Sequence, residues 1–233
     1  MQNKISYHEI QVICLDFDST IINHEGIDEL ARQKGCFSEV AKITRQAMEE
    51  GLSFKESLEK RLNLLKPSLD DIKRYHDRVI VNQFSVGLIK LIEKVKIDRK
   101  QIFIISGGFE QLILPYTDFL NIPRENIFCN SLIFDKDGTY QKFDTSRLTC
   151  ESLGKVKVID LIKLKTKCNN IMMIGDGKTD LETQTFVHTF IGYGGNIERN
   201  AIKEKVKTLK NSYYYTDFNK LINELTNLTT LTT

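Results

Sequence analysis

Three short segments combine acidic, hydroxyl and glycine residues at spacings that could hold a metal ion beside an anion. They are Asp16-Phe17-Asp18-Ser19-Thr20, Ser106-Gly107-Gly108 and Gly175-Asp176-Gly177-Lys178-Thr179-Asp180. Each segment directly follows a short apolar run that is rich in β-branched residues. In an open parallel sheet, ligands bind beyond the carboxyl ends of the strands. We therefore expect the three segments to meet at one site.

The residues of this site favour a divalent cation next to a phosphate group. Asp16 and Asp18 are two residues apart, so in extended backbone their carboxylates point to the same side and repel one another. A hard cation relieves that repulsion, and Asp176 can add an oxygen ligand, which suits Mg²⁺. Ser106 and Gly107 offer a hydroxyl group and exposed N–H groups to an anion. A metal ion and an anion cradle together favour phosphoryl transfer.

Two basic residues could complete such a site. Lys155 opens a helical pattern, at a position where an acidic residue would suit the helix dipole better; it is either functional or a solvated surface lysine. Arg61 lies within about 20° of Phe54 on the apolar stripe of its helix. It either clamps a substrate carboxylate or extends along the edge of the stripe into solvent.

Two further residues have equally open interpretations. Glu25 follows the first acidic segment and could meet a substrate ammonium group, although a loop glutamate is usually just solvated. Met48 lies on the apolar side of its helix, where core packing is the default.

The elements that must position these residues alternate between strand and helix. Buried strands are expected at residues 10–17, 101–105, 170–174 and 189–191, and helices at residues 86–95 and 155–164. This alternation predicts an α/β fold in which helices flank a parallel sheet.

Two insertions interrupt that alternation. Residues 21–84 lack strand-like runs and contain at least three helical patterns, with a capping box at Ser53 and Glu56 and a helix start at Ser68 and Asp71. A short hairpin is expected at residues 132–143, around Asp137-Gly138. The predicted domains are a core of residues 1–20 and 85–233 and a helical cap of residues 21–84.

Composition excludes several classes of protein. The 33 Lys and Arg residues nearly balance the 31 Asp and Glu residues, so no strong field attracts nucleic acid or a membrane surface. The five cysteines contain no C-x-x-C pair, which fits neither a disulfide framework nor a zinc site. No signal segment or membrane-spanning apolar run is visible. We expect a cytoplasmic protein with reduced thiols that binds neither nucleic acid nor membranes.

The chemistry-bearing segments resemble the four motifs of the haloacid dehalogenase superfamily, with Lys155 as the third motif. More narrowly, the chain is similar nearly end to end to the phosphoserine phosphatases. The longer stretches that carry this similarity are Glu25-Gly26-Ile27-Asp28-Glu29-Leu30-Ala31, Ile104-Ile105-Ser106-Gly107-Gly108-Phe109, Ile171-Met172-Met173-Ile174-Gly175-Asp176-Gly177 and Phe190-Ile191-Gly192-Tyr193-Gly194-Gly195-Asn196.

The resemblance implies a Rossmann-like core, with a four-helix cap inserted after the first strand, and a phosphatase mechanism. Asp16 would be the nucleophile, and Asp18 would protonate the leaving oxygen and then activate water. Mg²⁺ would be bound by the Asp16 carboxylate, the Asp18 backbone carbonyl and Asp176, with Asp180 supporting the metal site.

The resemblance also implies how the substrate, O-phospho-L-serine, is bound. Ser106, Gly107 and Lys155 would hold the phosphoryl oxygens. Glu25 would take the substrate ammonium group and Arg61 its carboxylate. The remaining residues that match substrate-side positions are Met48, Thr179 and Arg199.

Two residues depart from the pattern of the family. Glu49 stands where close relatives often have Gly beside the Met, and Leu153 replaces a Gly just before the third motif. The expected activity is the Mg²⁺-dependent last step of phosphorylated serine biosynthesis. Three alternatives stay open: phosphoryl transfer to a hydroxyl acceptor such as homoserine, hydrolysis of another small phosphomonoester, and a non-enzymatic phosphate sensor. The chain is expected to be a monomer or a homodimer.

Overall fold

The core of the protein is a six-stranded parallel sheet, seen in a computed structural model that describes residues 5–49, 51–78 and 83–227. The strands are β1 (Val12–Leu15), β2 (Gln101–Phe109), β3 (Ile127–Asn130), β6 (Ile171–Gly175), β7 (Thr189–Tyr193) and β8 (Ser212–Tyr215). Their order in the sheet is β3-β2-β1-β6-β7-β8. The sheet confirms the expected α/β class and all four predicted strands.

Strand residues alternate between two apolar layers, as extended backbone requires. Ile13 and Leu15 of β1 face one layer, and Val12 and Cys14 face the other. The first layer is closed by α5 (Leu88–Ile97), α6 (Glu110–Phe119) and α10 (Phe218–Asn227), and the second by α7 (Gly154–Thr166) and α9 (Asn200–Lys207). Because both faces are covered, the central strands are apolar throughout.

The segment between β1 and α5 is helical, as predicted. It contains α1 (Gly26–Gln33), α2 (Phe37–Glu49), α3 (Phe54–Leu65) and α4 (Leu69–Arg78). Ser53 and Glu56 form the expected capping box of α3. Ser68 and Asp71 exchange equivalent hydrogen bonds at the start of α4, of 2.8 Å and 3.2 Å. The buried residues of these helices join the apolar layer on one face of the sheet. We propose that residues 1–20 and 85–233 form the core and that residues 21–84 form the cap.

Three smaller features complete the fold. The hairpin is present as β4 (Leu132–Phe134) and β5 (Tyr140–Phe143), with Gly138 at a φ of 83° in its turn. The five cysteines are free. Among the helices of the described ranges, none combines the length and apolarity that crossing a bilayer requires.

Candidate active site

The three chemistry-bearing segments meet where the strand order reverses. β2 and β3 lie on one side of β1, and β6, β7 and β8 lie on the other. This switch point opens a crevice at the carboxyl ends of β1 and β6. Asp16 follows β1 and its N–H donates to the carbonyl of Ile174 in β6 at 2.9 Å, while Asp176 follows β6 directly.

Three buried carboxylates form an acidic cluster in this crevice. Ligand oxygens of Asp16, Asp176 and Asp180 all lie within 4.8 Å of one another. Asp180 lies in the short helix α8 (Lys178–Leu181). Its side chain packs so closely on β6 that a Cβ atom on Gly175 would lie 2.2 Å from its Cγ. Burial, and then the charge of Asp16, raise the pKa of both Asp176 and Asp180. An all-oxygen donor set under this repulsion fits a hard divalent cation such as Mg²⁺.

Lys155 is buried at the centre of the site and is not a surface lysine. Its Nζ lies 2.7 Å from Oδ1 of Asp16 and 2.6 Å from Oδ1 of Asp180. Burial alone would lower the pKa of Lys155, but the two carboxylates outweigh burial and raise it. The side chain is therefore a fixed positive charge beside Asp16.

The Asp18 carboxylate has different partners from that of Asp16. Its Oδ1 accepts a 2.8 Å hydrogen bond from the N–H of Gly26, at the start of α1. Within the described ranges, Asp18 is not a member of the acidic cluster. β1 ends at Leu15, so the side-chain alternation of a strand does not extend to Asp16 and Asp18. Burial, and then the charge of Glu25, raise the pKa of Asp18 well above its ordinary value, which favours the protonated acid.

The Ser106-Gly107-Gly108 segment lies within β2, near its carboxyl end, where the pairing with β3 shifts register. The Ser106 hydroxyl is buried and accepts a 2.9 Å hydrogen bond from the N–H of Gly108. The Gly107 carbonyl accepts from Nδ2 of Asn130 at 2.8 Å. Phe54 of α3 packs against this segment, since a Cβ atom on Gly107 would lie 2.7 Å from its ring. Asn130 is not among the residues predicted from the sequence; its one signal is a polar residue at the end of a short apolar run.

Glu25 and Arg199 connect the acidic cluster to the start of α1. Oε1 of Glu25 accepts a 2.7 Å hydrogen bond from the Ser19 hydroxyl and lies 3.5 Å from a guanidinium nitrogen of Arg199. Nε of Arg199 donates to Oδ2 of Asp176 at 2.8 Å. Burial raises the pKa of Glu25, and Asp176 and Asp16 add to this effect. The site thus brings Glu25 and Arg199 together with the residues of the acidic motifs.

The remaining predicted residues are placed less completely. Arg61 is half-buried, and its Nε donates to the Ser57 carbonyl of its own helix at 3.2 Å. No carboxylate of the described residues lies within 4.0 Å of its guanidinium, although Asp28 and Glu25 act on it at longer range. Thr179 is half-buried in α8, directly before Asp180. The side chains of Met48 and Glu49 lie outside the described residues.

Comparison with known proteins places this chain among the phosphatases with a haloacid dehalogenase-like fold. Residues 11–189 match the family model described as "Putative Phosphatase". The phosphoserine phosphatase of Homo sapiens is 40% identical over 222 residues, which cover 94% of this chain and 95% of the human protein. The chain belongs to the phosphoserine phosphatase family, and it is a phosphatase, as expected from its sequence.

Two solved structures share the whole architecture. A phosphoserine phosphohydrolase-like protein from Francisella tularensis subsp. tularensis SCHU S4 aligns with a TM-score of 0.78 at 31% identity, covering 94% of this chain and 99% of that one. A phospho-aspartyl intermediate analogue of phosphoserine phosphatase aligns with a TM-score of 0.77 at 27% identity, covering 92% and 98%.

Proposed function

We propose that the protein hydrolyses O-phospho-L-serine to L-serine and inorganic phosphate through a phosphorylated Asp16. The observation that carries this proposal is the buried Lys155, which pairs with Asp16 and with Asp180 at the switch point of the sheet. A carboxylate held there by a fixed cation, beside the Ser106-Gly107-Gly108 segment of β2, suits nucleophilic attack on a phosphomonoester. The names of the human relative and of the aligned structure support the choice of substrate.

The proposed reaction has two balanced steps. An Asp16 oxygen attacks phosphorus, the bond from phosphorus to the serine oxygen breaks, and that oxygen takes the proton of Asp18. Water then attacks the phosphorus of the aspartyl-phosphate and gives its proton to Asp18, which releases phosphate and restores Asp16. The raised pKa of Asp18 suits the first step, because the acid must hold a proton when the substrate arrives.

The acidic cluster supports a Mg²⁺ requirement. The ion would be held by the carboxylates of Asp16 and Asp176 and by the backbone carbonyl of Asp18. Asp180 would support these ligands. When bound, Mg²⁺ neutralises charge on the transferring phosphoryl group. Ser106, Gly107 and Lys155 would hold the phosphoryl oxygens from the protein side.

The amino-acid end of the substrate would contact a second group of residues. Glu25 would accept the ammonium group, and Arg61 would bind the carboxylate with the guanidinium nitrogens other than Nε, which donates to the Ser57 carbonyl. The further substrate-side residues of this proposal are Met48, Thr179 and Arg199.

The test is phosphate release from a panel of small phosphomonoesters, measured with and without millimolar Mg²⁺. Phosphoserine should be the preferred substrate, activity should need Mg²⁺, and Asp16→Asn should abolish turnover while the protein stays folded. Failure to release phosphate from phosphoserine would contradict the proposal. Phosphorylated homoserine in a parallel reaction containing homoserine would instead indicate transfer to a hydroxyl acceptor.

We also propose that the enzyme acts in the cytoplasm, at the last step of phosphorylated serine biosynthesis. The five free cysteines support a reducing compartment. Expression of the chain should restore growth without serine to cells that lack this step, and the Asp16→Asn variant should not.

A further inference from the structure

The Asn196 side chain joins the two chain segments that connect the core to the inserted helices. Its Nδ2 donates to the Ser19 carbonyl at 2.9 Å and to the Ile22 carbonyl at 3.2 Å, on the segment leading to α1. The same nitrogen lies 2.6 Å from the hydroxyl oxygen of Ser85, on the segment that returns to α5. One amide group therefore holds both segments at once.

The hydrogen-bond chemistry fixes the direction of this contact. The Ser19 and Ile22 carbonyls only accept hydrogen bonds, so the amide nitrogen must face them. The Ser85 hydroxyl donates its own hydrogen to the Thr20 carbonyl at 2.6 Å, which leaves a lone pair to accept from Asn196. An aspartate at position 196 would present only acceptors to the two carbonyls.

The loop that carries Asn196 is anchored to the sheet. It follows β7 directly, and the N–H of Gly194 donates to the carbonyl of Tyr215 at the end of β8 at 2.8 Å. The two connecting segments also bind each other: the N–H of Ser85 donates to the Ile21 carbonyl at 2.9 Å. Asn196 thus fastens this pair of segments to the rigid core.

This attachment bears on the substrate site through Glu25. Ser19, whose carbonyl Asn196 binds, has a φ of 54° and donates its hydroxyl to Glu25 at 2.7 Å. Arg199, three residues after Asn196, reaches the same Glu25 oxygen at 3.5 Å. A single loop therefore fixes the backbone before Glu25 and contacts its side chain.

We propose that Asn196 is a positioning residue for substrate specificity, which keeps Glu25 and the start of α1 aligned with the Ser106-Gly107-Gly108 segment of β2. The inference rests on the proposed function, because it assumes that Glu25 binds the ammonium group of the substrate. Loss of the amide should weaken recognition of the amino-acid end and leave the chemistry at Asp16 largely intact.

The test compares two substrates in the wild type and in Asn196→Ala. For O-phospho-L-serine, kcat/KM should fall by about tenfold or more, which is the loss expected when a hydrogen bond to a charged group is removed. Most of this fall should come from a higher KM. For p-nitrophenyl phosphate, which has neither an ammonium group nor a carboxylate, the fall should stay within about threefold. Asn196→Asp should show the same selective loss. Asn200→Ala, which removes an exposed amide at the start of α9, is the matched control and should behave as wild type.

A second measurement does not depend on activity. Hydrogen exchange of the segment containing residues 19–24 should accelerate in Asn196→Ala but not in Asn200→Ala. If Asn196→Ala does not fold, Ser85→Ala is the variant to use. It removes one of the three acceptors and should give a smaller change in the same direction. An equal loss for both substrates, or unchanged exchange, would overturn the inference. Absence of phosphoserine turnover in the wild type would instead overturn the proposed function.

Discussion

At the scale of single residues, Thr20 carries a fully buried hydroxyl group whose Oγ1 has no hydrogen-bond partner in the described structure. A buried hydroxyl without a partner costs about 1–3 kcal/mol, and a methyl group of the same shape avoids that cost. We expect Thr20→Val to raise the free energy of unfolding by about 1 kcal/mol in urea titrations.

Thr183 is the matched control for this substitution. It is equally buried, but its Oγ1 donates to the Asp180 carbonyl at 2.6 Å. Thr183→Val should therefore lower the free energy of unfolding by about 1 kcal/mol. The same sign of change in both variants would show that the Thr20 hydroxyl is satisfied in solution.

Only some of the site residues can be located from the sequence. Asp16 and Ser106 follow apolar runs directly, so their position near the carboxyl ends of strands can be inferred from the sequence alone. The pairing of Arg199 with Asp176 depends on the course of the loop after β7, which brings Arg199 back to the site. No local sequence pattern predicts that course. Asn130 is not predicted because its strand, β3, lies at the edge of the sheet and begins with two partly exposed residues.

At the scale of elements, the start of α7 contains a strained residue. Leu153 has a φ of 53° and is half exposed, so it carries the steric cost of a left-handed conformation and gains little from burial. Glycine lacks that steric cost but loses more chain entropy on folding. We expect Leu153→Gly to raise the free energy of unfolding by about 0.5–1 kcal/mol. Leu153→Ala keeps the Cβ atom and should bring no gain; a gain of equal size there would contradict the explanation.

The start of α4 depends on one buried carboxylate. Asp71 accepts from the N–H of Ser68 and pairs with Lys34 at 2.7 Å and Arg74 at 2.5 Å. Burial raises the pKa of Asp71, but the bonds to Lys34 and Ser68 outweigh it and bring the pKa to about 2. Because the folded pKa is below the unfolded value, this contribution is complete above about pH 4 and is lost as the pH falls towards 2.

The corresponding variant is Asp71→Asn. It should lower the free energy of unfolding at pH 7 by about 1–2 kcal/mol, and about half of that difference should be gone by pH 3. Urea titrations from pH 7 to pH 3 measure both values. Asp70→Asn, at an exposed position of the same helical turn, is the control and should change stability by no more than about 0.5 kcal/mol. A difference from wild type that does not depend on pH would contradict the role of the Asp71 charge.

At the scale of the whole molecule, the central part of the fold is predictable and its edges are not. β1 and β6 are apolar throughout because helices cover both faces of the sheet. β3 and β8 occupy the two edges and are partly exposed, and so lack that signal. These two strands form by pairing with β2 and β7, and that pairing depends on the assembled sheet rather than on the local sequence.

The acidic cluster links the stability of the whole molecule to metal and pH. Burial raises the pKa of Asp176 and Asp180, so the folded protein binds more protons than the unfolded chain and its stability falls as the pH rises above their ordinary values. Mg²⁺ competes with those protons, so it should stabilise more at pH 8 than at pH 5. At about a hundred times its Kd, we expect Mg²⁺ to raise Tm by about 5–10 °C at pH 8. Asp176→Asn should remove most of that increase, and an equal Mg²⁺ effect at both pH values would show that the cluster is not the binding site.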